Sequence, residues 1–443
     1  MHAKKIQRRD FLRMASALAG AASFGAGAQG TDYKALVCVF LAGGNDGHNM
    51  IVPMGASAYA AYRAIRGGLA LPDGSAQLVN VTTPAGVAYG LNSGLNAIAP
   101  LWAQGRLAAV ANVGPLAVPT TRAQYLASSV SLPSNLFSHS DQIVQAQTGN
   151  ATGGGGTGWA GRSADAVQSR NGASRFPAAL SMAGNALFCT GRTVPSASLL
   201  PGFDLGADGM SVWPDTAAQA RARGLTEILA LDQGLTLVQA ANRVRQDAQT
   251  LNGLLRSGAG TPLSTVFPGT SLGRQLEQVA KIIRLRGSTG MARQVFFCSL
   301  GGFDTHSGQG WTHWDLLRQV GDALAAFYAA TVEMGVANQV TSFTQSDFGR
   351  TLQPSGSGTD HGWGNHQLVL GGAVRGGEVY GRFPHPALGG ADDAGSRGVL
   401  IPTTSLEQFG ASFARWFGVS AQDLPLVFPN LAAFAPADLG FLP

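Results

Sequence analysis

The segment Ala35-Leu36-Val37-Cys38-Val39-Phe40-Leu41 runs without a break into Ala42-Gly43-Gly44-Asn45-Asp46-Gly47-His48-Asn49. A short, continuous apolar run bounded by glycines reads as a strand buried on both faces. The polar, glycine-rich stretch behind it reads as the loop that leaves the strand at its carboxyl end. The pairing recurs: residues 294–300 lead into Gly301-Gly302-Phe303-Asp304-Thr305-His306, and residues 339–344 into Ser346-Asp347-Phe348-Gly349-Arg350. Further buried-strand runs lie at 107–113, 178–182 and 366–370. Helical patterns fall between them at 57–65, 91–103, 141–147, 274–285, 313–334 and 406–417. Strands alternating with helices predict a doubly wound α/β fold, a mostly parallel sheet with helices on both faces.

Composition narrows the field of functions. The chain has 443 residues, 45% of them hydrophobic and only 12% charged, with 61 Gly and 21 Pro. An apolar, weakly charged chain has enough surface to bury, which excludes disorder. The glycines keep no three-residue period, which excludes collagen. The formal charge of +5 is concentrated at the start, where Lys4, Lys5, Arg8, Arg9 and Arg13 face the single acid Asp10. Without residues 1–28, Lys+Arg falls from 30 to 25 and Asp+Glu from 25 to 24, leaving +1. A nearly neutral body offers no electrostatic footprint for nucleic acid.

That basic start reads as an export signal. Arg8-Arg9-Asp10-Phe11-Leu12 is followed by a weakly apolar, Ala- and Gly-rich run that ends Ala26-Gly27-Ala28. These are the parts of a twin-arginine signal, which is an address read by a translocase and not an anchor. The apolar run is too short to span a bilayer. The mature chain is therefore expected to begin near Gln29 and to work in the periplasm or outside the cell. Cys38, Cys189 and Cys298 allow at most one disulfide and read better as small core hydrophobes. Residues 201–257 carry Ala-, Gln- and Arg-rich helical patterns and no strand, and read as a helical insertion. The loop 151–158 has four consecutive glycines but no Gly-Lys-Ser/Thr ending, so it is not a nucleotide cradle.

In parallel α/β sheets, ligands bind beyond the carboxyl ends of the strands. Asp46, Asp304 and Asp347 fall there, with His306, and with His361 and His366 in the segment Asp360-His361-Gly362-Trp363-Gly364-Asn365-His366. Carboxylates and imidazoles without thiolates suit a divalent ion such as Zn²⁺ or Mn²⁺. A second cluster, Phe137-Ser138-His139-Ser140-Asp141-Gln142, precedes a helical pattern. A hydroxyl there could be ionised beside a metal and attack phosphorus or sulfur, although a Ser before Asp-Gln is equally an ordinary helix cap. Arg350 and Asn45 could bind an anionic group. Gly269-Thr270-Ser271-Leu272-Gly273 fits the pattern of a nucleophile elbow, which would make Ser271 a metal-free esterase serine, but the strand it needs is broken by Pro268.

Together the twin-arginine signal, Phe40-Leu41-Ala42-Gly43-Gly44-Asn45-Asp46-Gly47, Ser138-His139, Gln147-Thr148-Gly149, Gly158-Trp159, Gly301 to His306, Ser346 to Thr351, Asp360-His361-Gly362 and Leu370 to Val374 resemble one bacterial exported family. It is the domain of unknown function 1501, a branch of the alkaline phosphatase/sulfatase superfamily. The resemblance implies an alkaline phosphatase-like domain over 29–443 with one or two divalent ions (Zn, Mn, Mg or Ca). It implies hydrolysis of phosphate or sulfate esters, on a small or polymeric substrate. On it, Asp46, Asp304, His306, Asp347, and His361 or His366 resemble metal ligands, and Ser138 the nucleophile, with His139 beside it. Phe348 stands where that superfamily usually has His or Asn, and no Cys has the setting that modified-Cys sulfatases need. Phe348 motivates the competing expectation of a catalytically silent exported binding or assembly protein.

Overall fold

The computed structural model describes residues 32–202, 212–231, 234–257 and 263–443. The export signal read over residues 1–28 lies outside the described residues, as do 203–211 and 232–233 of the stretch read as an insertion.

Among the described residues, twelve strands follow one another: β1 Lys34–Leu41, β2 Ile51–Pro53, β3 Leu78–Thr82, β4 Ala88–Asn92, β5 Leu107–Gly114, β6 Ala179–Ser181, β7 Ser196–Ser198, β8 Arg293–Leu300, β9 Val340–Ser346, β10 Asn365–Gly371, β11 Val379–Tyr380 and β12 Thr404–Ser405. Nine of them form the main sheet in the order β11-β5-β10-β9-β1-β8-β6-β7, with β12 also on β5. β1 pairs in parallel with β8 and with β9, and β6 in parallel with β7 and β8. β10 runs against both β9 and β5. The fold is therefore α/β with a mostly parallel sheet and helices on both faces, as the alternation of runs predicts. Every residue of β5, β9 and β10 is buried, which explains why those segments read as unbroken rather than alternating apolar runs.

Helices Ser271–Arg284 and Gln309–Glu333 pack together beside β8. Trp159–Ala166 and Leu406–Phe417 belong to a second group, where Phe343 of β9 stacks on Phe413 at 4.2 Å and Trp159 lies 4.9 Å from Phe188. Cys38, Cys189 and Cys298 are free and buried, small core residues as expected.

One expectation fails. The helix read over 91–103 is instead the end of β4, a 3-10 turn Ser93–Leu95 and one short helix Pro100–Ala103. Ser93-Gly94 and Pro100 interrupt the helical period, and Asn92 caps the turn by accepting from the Gly94 N–H at 2.9 Å. β4 joins β2 and β3 in a small antiparallel sheet that the apolar pattern does not reveal. Within 212–257 the described residues hold two helices, Asp215–Leu229 and Thr236–Ser257, and no strand. Among the described residues, no helix is long and apolar enough to cross a membrane.

A candidate metal centre at the sheet rim

Register decides where the loops begin. Leu41 of β1 is level with Leu300 of β8 and with Ser346 of β9, so three adjacent strands release their chains at one height. Because β10 is antiparallel, the segment before it, not after it, arrives at the same rim and delivers Asp360 and His361. Helix His139–Thr148 starts there too, with His139 as its first residue. Gly43 and Gly44 keep these loops close together. Both have positive φ, +117° and +82°, and a Cβ would overlap Asp304 N at Gly43 and the Phe348 ring at Gly44.

The side chains meet around one oxygen. Asp304 Oδ1 lies 3.5 Å from His139 Nε2, 3.1 Å from His306 Nε2 and 3.4 Å from His361 Nε2. His306 Nε2 and His361 Nε2 are 3.0 Å apart. His139, Asp304 and His361 each offer a ligand atom within 4.8 Å of the others.

The outer ring nitrogens fix the tautomers. His361 Nδ1 is 2.8 Å from the Phe137 carbonyl, which can only accept, so the proton sits on Nδ1. His139 Nδ1 donates to Asp347 Oδ2 at 2.7 Å, and His306 Nδ1 faces Asp360 Oδ1 at 3.5 Å. His139 and His361 thus turn an unprotonated Nε2 inward, while His306 Nε2 carries the proton it shares with His361 Nε2 and Asp304, and His139 Nε2 is buried without a hydrogen-bond partner. The His139 Nε2 lone pair facing the Asp304 carboxylate requires a proton or a cation between them. An imidazole held by an acceptor on its far nitrogen is the usual arrangement around a metal. The residues present therefore fit a divalent ion.

Other groups shape the site. Arg350 donates through Nη2 to Asp304 Oδ1, Gly43 O and Phe303 O, through Nε to Gly44 O and through Nη1 to Thr359 O. Burial acts to raise the pKa of the Asp304 carboxyl, but the hydrogen bond and charge of Arg350, with His306 and His139, hold it below the usual carboxylate range. Burial, together with the charges of His139 and Arg350, pushes the His361 imidazole down against the opposing effect of the Phe137 carbonyl. Phe348 packs its ring 4.7 Å from both His139 and His361. Phe137 itself has φ +72°, rare for an aromatic residue, and this turn aims its carbonyl at His361.

The structure brings Asp304, His306 and His361 together, with His139 as a partner expected only in a catalytic role. Asp347 stands behind His139, accepting from it and from the Gly43 N–H at 3.0 and 3.2 Å. Three expected residues lie elsewhere. Asp46 is fully buried in an ion pair with Arg66 and also accepts from Gln309 Nε2. His366 lies inside β10, accepts at Nδ1 from the Asn112 N–H at 3.1 Å and stacks on Phe383 at 4.5 Å. Asn45 is buried and accepts from His313 Nε2 at 2.9 Å. Arg350 is likewise occupied by carbonyls and Asp304, so neither expected anion-binding group is free for substrate. Ser138 adjoins His139 and donates to Asp141 Oδ2 at 2.5 Å without capping the helix. Ser271 is the first residue of a helix capped by Thr270, with no strand over the described residues 263–270 directly before it, and its hydroxyl accepts from Gln275 Nε2 at 3.3 Å.

Among solved structures, the chain is similar to the PsFucS1 sulfatase from Pseudoalteromonas sp., with 11% identity, 94% of this chain and 73% of that chain covered, and a TM-score of 0.35. It is also similar to Ps i-CgsB in complex with k-i-k-neocarrahexaose, with 10% identity, 89% and 74% covered, and a TM-score of 0.35. No curated protein matches the sequence. The family described as protein of unknown function (DUF1501) matches residues 33–416, and the chain belongs to that family.

Proposed function

We propose that the chain is an exported, metal-dependent hydrolase of sulfate or phosphate esters. One observation carries the metal: the inward-facing Nε2 atoms of His139 and His361 beside Asp304 Oδ1, each with its outer nitrogen donating to an acceptor. The ester class is supported by the resemblance of the loops around Asp304, His306, Ser346 and Asp347 to those of the alkaline phosphatase/sulfatase superfamily. Export is supported by the twin-arginine pattern at Arg8-Arg9, which implies a translocase as partner during export and a periplasmic or extracellular site of action.

A divalent ion held by His139, Asp304 and His361 would supply Lewis acidity to an ester oxygen and ease ionisation of a neighbouring hydroxyl. The chain's own groups do the rest. Ser138 is the hydroxyl next to this site. Its partner Asp141 is held below the usual carboxylate range by hydrogen bonds from Asn135 and Ser138, which makes it a weak base. His306 is 48% exposed, backed by Asp360, and placed to carry a proton between the leaving alcohol and solvent. Phe348 packs against the imidazoles of His139 and His361, and Arg350 holds Asp304 in place.

The test is elemental analysis of the mature protein, followed by turnover of a panel of aryl sulfates and phosphate mono- and diesters. Metal-bound protein with turnover, and loss of both in Asp304→Ala, is the expected outcome. The silent-protein reading is favoured by Arg350 already donating to Asp304 Oδ1. Metal-free protein inactive on the whole panel would establish it instead.

A further inference from the structure

Asp46 lies in the loop after β1, as Asp304 and Asp347 lie in the loops after β8 and β9, yet it takes no part in the convergence of ligand atoms. Its Oδ2 accepts from Arg66 Nη2 and from Gln309 Nε2, and both Asp46 and Arg66 are 0% exposed. The guanidinium is fixed on its other sides as well. Nε donates to Asn49 Oδ1 at 3.1 Å, and Nη1 to the carbonyls of Thr351 and Leu352, each at 3.0 Å. Tyr62 locks Asn49 by donating to the same Oδ1 at 2.8 Å. Burial lowers the Arg66 pKa to about 9, which leaves it charged at neutral pH. The neighbouring His313 donates to Asn45, so no free imidazole faces Asp46 among these contacts.

The charges at the rim then sum simply. Asp46, Asp304 and Asp347 face the fixed cations Arg66 and Arg350, while Asp360 is paired with Arg397. One negative charge is left over. A single divalent ion turns it into a small positive excess suited to an anionic ester, whereas two ions would pile uncompensated charge against two buried guanidiniums. The point where ligand atoms gather among the described residues is rich in imidazole nitrogen, which suits Zn²⁺, Mn²⁺ or Fe²⁺ and not the oxygen-seeking Ca²⁺ or Mg²⁺.

Resting on the metal reading above, we infer that this site takes one transition-metal ion and that Arg66 answers the charge of Asp46 in place of a second. Asp46 Oδ1, buried without a hydrogen-bond partner, is where a second ion would have to bind.

The full mature chain is loaded with Zn²⁺ or Mn²⁺, freed of excess by gel filtration and analysed for metal. About one ion per chain is expected, lost in His361→Ala and retained in both Asp46→Asn and Arg66→Lys. Two ions per chain, one of them lost in Asp46→Asn, would overturn the inference while leaving the metal reading intact. No ion at all would overturn the metal reading itself. Should Asp46→Asn not fold, the wild-type count still decides. The Mn²⁺ electron paramagnetic resonance spectrum then serves as a second measure, with an isolated-ion signal supporting one site and a spin-coupled pair overturning it. Displacement of Zn²⁺ by an equal concentration of Ca²⁺ would overturn the choice of metal class.

Discussion

Each imidazole of the candidate metal centre is backed by a residue behind it, and this dependence can be measured one side chain at a time. Asp347 receives the His139 Nδ1 proton and two contacts from the Gly43 N–H, tying a helix start to the loop after β1. Replacing Asp347 with Asn keeps its size and removes the charge that holds His139 in the right tautomer. The expected result is a metal affinity about 10–100-fold weaker by chelator competition, with an unchanged fold; an unchanged affinity would deny Asp347 this role. Asp304, His306 and His361 are legible in the sequence because strand ends and glycines mark their loops. The partnership of Asp46 with Arg66 is not, since Arg66 closes the helix Ala56–Arg66 and nothing in the local pattern aims it back at the rim. His366 misleads for a similar reason: it is a buried strand residue that happens to follow a ligand-bearing loop.

Among elements, the packing of β9 against helix Leu406–Phe417 holds the centre of the molecule. Phe343 stacks on Phe413 at 4.2 Å and meets Phe409 edge-on at 5.8 Å. Phe343→Ala removes a fully buried ring and should cost about 3–5 kcal/mol, read as a lower urea midpoint. A loss under about 1 kcal/mol would show that the neighbours refill the space. The main strands of the sheet can be read from sequence because both their faces are buried, which leaves no polar alternation to confuse them. β2, β3 and β4 escape notice because they are short, because β3 is partly exposed, and because Ala88-Tyr89-Gly90-Leu91-Asn92 has no continuous apolar run. Helix Trp159–Ala166 is hidden behind a glycine-rich loop and is short enough to show little periodicity.

The whole molecule carries a built-in sensitivity to acid. Burial pushes the imidazole of His48 down to about 4 and, with smaller charge effects from Arg66 and Arg350 on His313 and from His48 on His366, those two to about 3. In the unfolded chain each titrates near ~6.5, so the unfolded state takes up protons first as pH falls. Stability should therefore decline from about pH 6.5 toward pH 4, by several kcal/mol in all, since each tenfold difference in proton affinity between the two states is worth ~1.4 kcal/mol. Glu407 works the other way. Burial raises its carboxyl to about 7, so its contribution is present at low pH and is lost as pH rises from about 4.5 through 7. Three imidazoles outweigh one carboxyl. Thermal melts at pH 7.5, 5.5 and 4.5 check the sign, and a flat melting temperature across them would contradict it.

The reversed direction of β10 has a consequence for biogenesis. A centre whose candidate ligands come from positions 139, 304 and 361 stays incomplete until more than four-fifths of the polypeptide has left the ribosome. If the centre takes the proposed ion, no early fragment could capture it, and no late fragment could either. On the proposed reading, loading would await a finished domain, which would suit passage across the membrane in the folded form, with the cation seated in the compartment where synthesis takes place.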